Sequence, residues 1–238
     1  MLFFYIRQGD PIYVPDQLTP LGHRQAEAVA KRLTLYGNDK IYASTSNRAI
    51  QTAQPTCEIL KKEMTQLDFA NEHYAWNEFA REDVDGQKHW LGWHSKYIRL
   101  FTDPSLRALG LRWYEHPEVR DEHFELGLER IQRESDAFFA TLGYEKVQGR
   151  GLYKVTHSNN DRVALFAHAG FGKLFLSHIL SLPYPEFALH FDQTHTGMTV
   201  IEFVETDGYA VPKVLTYCSD SHLYHEGLPT NYNNVLRF

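Results

Sequence analysis

Cysteine is scarce in this 238-residue chain: Cys57 and Cys218 are the only two. Two thiols cannot staple a fold, which excludes a disulfide scaffold and fits free thiols in a reducing compartment. Long apolar runs are also missing. Residues 2–6 (Leu-Phe-Phe-Tyr-Ile) stop at Arg7, too short to span a bilayer and without the basic flank of a signal peptide. The expectation is a cytoplasmic protein with no membrane partner. Positive charge is not in excess either: 24 Lys and Arg against 30 Asp and Glu give a formal −6, which argues against a nucleic-acid partner. No internal repeat or low-complexity tract breaks the chain. What remains is 43% hydrophobic and 14% aromatic residues, enough for a large core. A single domain over residues 1–238 is expected.

The first sixty residues alternate between strand and helix patterns. Residues 2–6 read as a buried strand, and a loop with Gly9, Pro11 and Pro15 follows. Thr19 before Pro20 marks a helix N-cap and first turn, and Ala26, Val29, Ala30 and Leu33 recur at helical spacing. Residues 41–43 form a second strand and residues 47–64 a second helix. From about 80 to 155 Trp, His, Arg and Glu predominate. Helical stretches appear near 90–100 and 122–142 with no clear strand, so this segment reads as a mainly helical insertion forming a lid. Alternation resumes with a strand at 163–167, a helix at 170–181, a strand at 198–203 and another near 214–217. The expected fold class is α/β, a three-layer sandwich with a mostly parallel central sheet.

In such sheets ligands bind beyond the carboxyl ends of the strands. Arg7 follows the first strand, Arg48 opens the helix after the second, and His168 follows the later one. Two guanidinium forks and a helix N-terminus suit a phosphate or carboxylate. Other motifs fail in detail. Residues 167–174 lack the first glycine and the Ser/Thr of a P-loop. Gly170-Phe171-Gly172 has Phe175 where a dinucleotide loop has its third glycine; these glycines more simply let a helix start close to the sheet. His190 with His195, and His222 with His225, are the nearest approach to metal pairs, but no CxxC, HExxH or carboxylate–histidine cluster supports them. The acidic run Glu82, Asp83 and Asp85 reads as a solvated loop.

Five stretches in order carry a more specific likeness. Phe4-Tyr5-Ile6-Arg7-Gln8-Gly9-Asp10 resembles the N-terminal Arg-His-Gly signature of the histidine phosphatase superfamily, the phosphoglycerate mutase-like proteins. Leu18-Thr19-Pro20-Leu21-Gly22-His23-Arg24-Gln25-Ala26 is similar to its first-helix motif, and Ser44-Thr45-Ser46-Asn47-Arg48-Ala49 to its second phosphate-binding motif. Trp76-Asn77-Glu78 sits where the family carries its acid, and Ala167-His168-Ala169-Gly170 resembles its second histidine motif.

The resemblance implies that Arg7, Arg48 and His168 hold a phosphoryl group and that Glu78 protonates the leaving oxygen. The partner is a small phosphomonoester or free phosphate, with no cofactor and no metal. One position departs from the pattern: Gln8 stands where the family has its nucleophilic histidine. An amide nitrogen is delocalised into its carbonyl and cannot take up phosphorus as an imidazole does. The expectation is therefore phosphate binding, with hydrolysis through a phosphohistidine severely impaired or lost. The same motifs also fit a non-catalytic phospholigand-binding or regulatory module, for which Gln8 itself speaks, or a phosphoglycerate mutase-like phosphotransferase.

Overall fold

Neighbouring residues of the first strand face different cores. Phe3 and Tyr5 pack into one buried cluster, Phe4 and Ile6 into another, all at most 5% exposed. A strand buried on both faces needs a helical layer on each side. The computed structural model, which describes residues 1–230, supplies both.

In chain order, β1 (Leu2–Arg7), β2 (Pro11–Ile12) and β3 (Gln17–Leu18) lead to α1 (Pro20–Thr34), then β4 (Lys40–Ser44), α2 (Asn47–Leu60) and β5 (Met64–Leu67). The middle of the chain forms α3 (Glu72–Phe79), the hairpin β6 (Ala80–Glu82) and β7 (Lys88–Trp90), α4 (Ser95–Phe101), α5 (Pro104–Arg107) and α6 (Phe124–Thr141). β8 (Tyr144–Val147), β9 (Leu152–Val155), β10 (Arg162–Ala167), α7 (Ala169–Leu180), α8 (Tyr184–His190), β11 (Met198–Thr206), β12 (Tyr209–Ser219) and α9 (Ser221–His225) follow.

Eight strands make one mixed sheet in the order β5-β4-β10-β1-β11-β12-β9-β8. The block β5-β4-β10-β1 is parallel, with Phe3 opposite Val163 and Ala164 opposite Ile41. The remaining strands join it antiparallel. Val29 and Leu33 of α1 and Ala53 and Cys57 of α2 cover one face. Phe79 of α3, Phe138 and Phe139 of α6, and Phe171 and Phe175 of α7 cover the other. This is the expected α/β sandwich. Among the described residues no helix is long and apolar enough to cross a membrane.

The start of α1 follows its sequence signal: Thr19 Oγ1 accepts from the Gly22 amide at 3.0 Å, with Pro20 in the first turn. α2 ends earlier than its pattern, because Lys61 turns left-handed (φ 52°) and its amide returns to the Cys57 and Glu58 carbonyls, freeing Met64 to start β5. The segment from 80 to 155 holds the expected helices but also four strands. Tyr144 and Tyr153 anchor β8 and β9 in the core, yet each of these four-residue strands buries only that one side chain fully. Their alternation is too short to register as a strand pattern. Nor is the acidic loop merely solvated. Asp83 accepts from the Ser95 amide at 2.6 Å at the start of α4, and bonds from Ser95 hold its carboxyl well below the usual range.

Candidate active site

Because β1, β4 and β10 are parallel, their carboxyl ends share one rim, where Arg7, Ser44 and Ala167 end their strands. Arg7 is 2% exposed. Its Nη1 donates to the Gln193 carbonyl, and its Nη2 lies 2.8 Å from His195 Nε2. Burial first, and then Arg7, push the His195 pKa down to about 3. A neutral His195 ring can therefore accept a hydrogen bond from the guanidinium.

Gln8, next along the chain, is buried beside His168, with Oε1 at 3.1 Å from His168 Nδ1. His168 is fully enclosed at the mouth of α7, and its Nε2 lies 2.8 Å from Ser44 Oγ and 3.3 Å from Ser46 Oγ. Burial, then Arg48 and Arg7, hold its pKa well below 6.5. A neutral ring facing a carbonyl oxygen donates through Nδ1 and accepts a hydroxyl proton at Nε2. Tyr5 Oη fixes the backbone here, donating to the His168 carbonyl at 2.6 Å and accepting from its amide at 3.2 Å. Gly172 makes that possible: a Cβ there would stand 2.6 Å from the Tyr5 hydroxyl oxygen. Within the Gly-Phe-Gly stretch Gly172 thus serves close packing of helix on sheet, while Gly170 makes room for Trp90.

Arg48, in the first turn of α2, donates to Asp16 Oδ1 at 2.7 Å and to Glu72 Oε2 at 3.1 Å, and its guanidinium lies 5.3 Å from the Tyr13 ring centre. Its Nε is buried without a hydrogen-bond partner. Glu72 is the junction of the site. Its Oε1 accepts from the Gly170 amide in the first turn of α7 at 2.9 Å, and Oε2 lies 3.9 Å from His168 Nδ1.

The structure corrects one residue. Glu78 is not in the site: its two carboxylate oxygens take a bidentate pair, each at 2.6 Å, from Arg130 of α6. Glu72 and Glu78 are six residues apart on α3, which turns their side chains about 120° from each other. The Glu72 end faces the strand rim and the Glu78 end faces α6. A sequence signal for Glu72 did exist: Asn71 is a helix N-cap whose Oδ1 accepts from the His73 amide at 3.0 Å, which puts Glu72 in a first turn.

Arg7, Gln8, Glu72, Gly170 and Lys173 line a small cavity of about 90 Å³. A wider cleft of about 750 Å³ shares Tyr13, Glu72, Trp90 and Trp93 with it and adds Ser46 and Arg48. Of the expected residues, Arg7, Gln8, Arg48 and His168 come together. Glu72 escaped the sequence reading, whereas Ser44, Lys173 and His195 stood in stretches read for other reasons. Two guanidinium groups and the N-terminus of α7, with one carboxylate between them, make a setting that suits a tetrahedral oxyanion.

Residues 14–105 match the sequence model of the histidine phosphatase superfamily (branch 1). Solved structures match over nearly the whole chain. The Entamoeba histolytica phosphoserine phosphatase, solved with 3-phosphoglyceric acid, superposes with a TM-score of 0.59 at 19% identity, covering 93% of this chain and 98% of its own. The chain has the fold of these phosphatases. A mycobacterial glucosyl-3-phosphoglycerate phosphatase solved with inorganic phosphate gives 0.58 at 16% identity, over 93% of this chain and 98% of that one. The Shigella flexneri α-ribazole phosphatase gives 0.56 at 17%, over 92% and 97%. No curated protein matches the chain in sequence. The segment matching the family holds Arg48 and Glu72, whereas Arg7, Gln8 and His168 lie outside it and reach the site through β1 and β10.

Proposed function

We propose that this chain binds phosphomonoesters at Arg7, Gln8, Arg48, Glu72 and His168, with hydrolysis severely impaired by Gln8. The observation that carries the reading is a small cavity lined by Arg7, Gln8 and the first turn of α7, which meets at Glu72 a cleft lined by Arg48, with the buried His168 bonded to Gln8 behind it. The phosphoryl oxygens are held by Arg7, Arg48 and the α7 amides, so charge that a metal would otherwise neutralise is met by guanidinium groups. Glu72 replaces Glu78 as the proton donor, since it borders both the small cavity and the wider cleft where a leaving group would extend. Residues 80–155 serve as the lid, through Trp90, Gly92 and Trp93 at the mouth.

At the attacking position Gln8 offers an amide whose nitrogen lone pair is delocalised. His168 does not stand in for it. Nδ1 carries the proton donated to Gln8 Oε1 and the Nε2 lone pair is taken up by Ser44 Oγ, so no lone pair is free to attack phosphorus without breaking that arrangement. The test is calorimetric titration with inorganic phosphate. Saturable one-to-one binding, weakened about tenfold or more by Arg48→Ala, is expected. Absence of saturable binding, or binding indifferent to Arg48→Ala, would overturn the reading.

A further inference from the structure

The cleft outside the small cavity is walled by aromatic rings. Trp76 of α3 and Trp90 of β7 stand almost perpendicular, their ring centres 5.1 Å apart and their planes at 75°. Tyr13 and Trp93 complete the wall and also border the small cavity, so cleft and cavity meet at Glu72. The rings are steadied by cations: Lys88 Nζ is 5.4 Å from the centre of Trp76, Lys173 Nζ 5.6 Å from that of Trp93, and Arg48 5.3 Å from that of Tyr13.

Several polar groups along the same wall are already engaged. Asp16 takes Arg48 at 2.7 Å and the Asn47 amide at 2.7 Å. Asn71 caps α3 and donates to Thr45 Oγ1 at 2.9 Å. His73 is paired with Asn77 at 2.9 Å and His89 with Asp85 at 2.8 Å. A polyhydroxyl leaving group needs a ring of uncommitted donors and acceptors, and this wall offers mainly π faces.

From this we infer that the ligand is a phosphomonoester whose alcohol carries a planar aromatic ring, the phosphate in the small cavity and the ring in the corner made by Trp76, Trp90, Trp93 and Tyr13. A planar guest can stack offset on one indole and meet the edge of another, a geometry that right-angled rings favour. The inference rests on the phosphate-site reading above and adds the class of ligand to it.

The experiment measures equilibrium binding to the unaltered protein by quenching of tryptophan fluorescence and, independently, by calorimetry. The probes are inorganic phosphate, glycerol 2-phosphate, glucose 6-phosphate, phenyl phosphate and 1-naphthyl phosphate. The aryl esters are expected to bind about tenfold or more tightly than the glycerol and glucose esters. Trp76→Ala, which removes a ring lining the wider cleft but not the small cavity, is expected to erase that preference while leaving the affinity for inorganic phosphate within about twofold. Phosphate binding without an aryl preference, or a sugar ester matching the aryl esters, overturns the aromatic class alone. Failure of inorganic phosphate and of every ester overturns the phosphate site and this inference with it.

Discussion

Replacing Gln8 by histidine isolates the attacking atom from everything around it. In the structure Gln8 contributes one side-chain hydrogen bond, to His168 Nδ1 at 3.1 Å, while Arg7, Arg48 and Glu72 are held by groups other than Gln8. Losing that bond costs about 1 kcal/mol, a fall in Tm of about 2–4 °C for a protein of this size. The Gln8→His protein therefore stays folded, and phosphate affinity should hold within about tenfold, or about 1.4 kcal/mol. Turnover should respond very differently. Removing a covalent nucleophile in other enzymes costs about 10⁴ to 10⁶, so restoring one should lower the barrier by about 5–8 kcal/mol. Initial rates on 4-nitrophenyl phosphate, with both proteins purified in parallel, read this directly. Phosphorus NMR of the quenched variant should show a phosphoramidate signal absent from the Gln8 protein. If the two proteins bind phosphate alike and turn over at similar rates, the reasoning fails, whether both are active or both are inert.

Three further outcomes follow from other parts of the molecule. In the Gln8→His background, Glu72→Gln should lower turnover of an ester with a poor leaving group by about 10²–10⁴. Glu78→Gln should leave turnover within about twofold, its partly exposed pair with Arg130 being worth about 1 kcal/mol or less; the opposite ranking in that kinetic comparison would restore Glu78 to the site. Acid should destabilise the fold through buried imidazoles. His168, His195 (pushed down to about 3) and His222 (to about 4, by burial and then Arg32) stay neutral when folded but take up protons near 6.5 when unfolded. The unfolded chain binds more protons below that value, so each group removes about 1.4 kcal/mol per pH unit from 6.5 down to its folded value. Urea unfolding at pH 7.5 and 5.5 measures this, and His222→Gln should shrink the difference by about 1.4 kcal/mol; equal stability at the two pH values would contradict it. Finally, a Cβ at Gly170 would overlap the Trp90 indole. Gly170→Ala should cost about 1–3 kcal/mol of stability and shift the tryptophan emission, and an unchanged unfolding midpoint would argue against that contact.

The layers of the fold were readable because its central strands are apolar on both faces and its first helix is capped by Thr19 and Pro20. β8 and β9 were not readable, since a tyrosine supplies the only fully buried side chain in each and the signal of a strand is repetition. At the site, Arg7, Arg48 and His168 announce themselves by standing where a strand ends or a helix begins. The Asn71 cap marks Glu72 as a first-turn residue but does not say that it, rather than Glu78, reaches the strand rim. What separates them is the rotation of α3, fixed by Ala75 and Phe79 packing into the core, and that packing is visible only once the helices and the sheet are assembled. His195 was noticed as a possible metal ligand, whereas its Nε2 belongs to Arg7, a partner 188 residues away in the chain.

The groups that surround the cavity come from β1, α2, α3 and α7, so no single substitution dismantles them all, yet the attacking position belongs to one side chain. In the genetic code, glutamine and histidine codons share their first two bases and differ only in the third. On the function proposed above, one base change at position 8 would separate a protein that holds a phosphate ester from one equipped to break it. A lineage carrying the frame intact could cross between receptor and enzyme without passing through an unfolded intermediate.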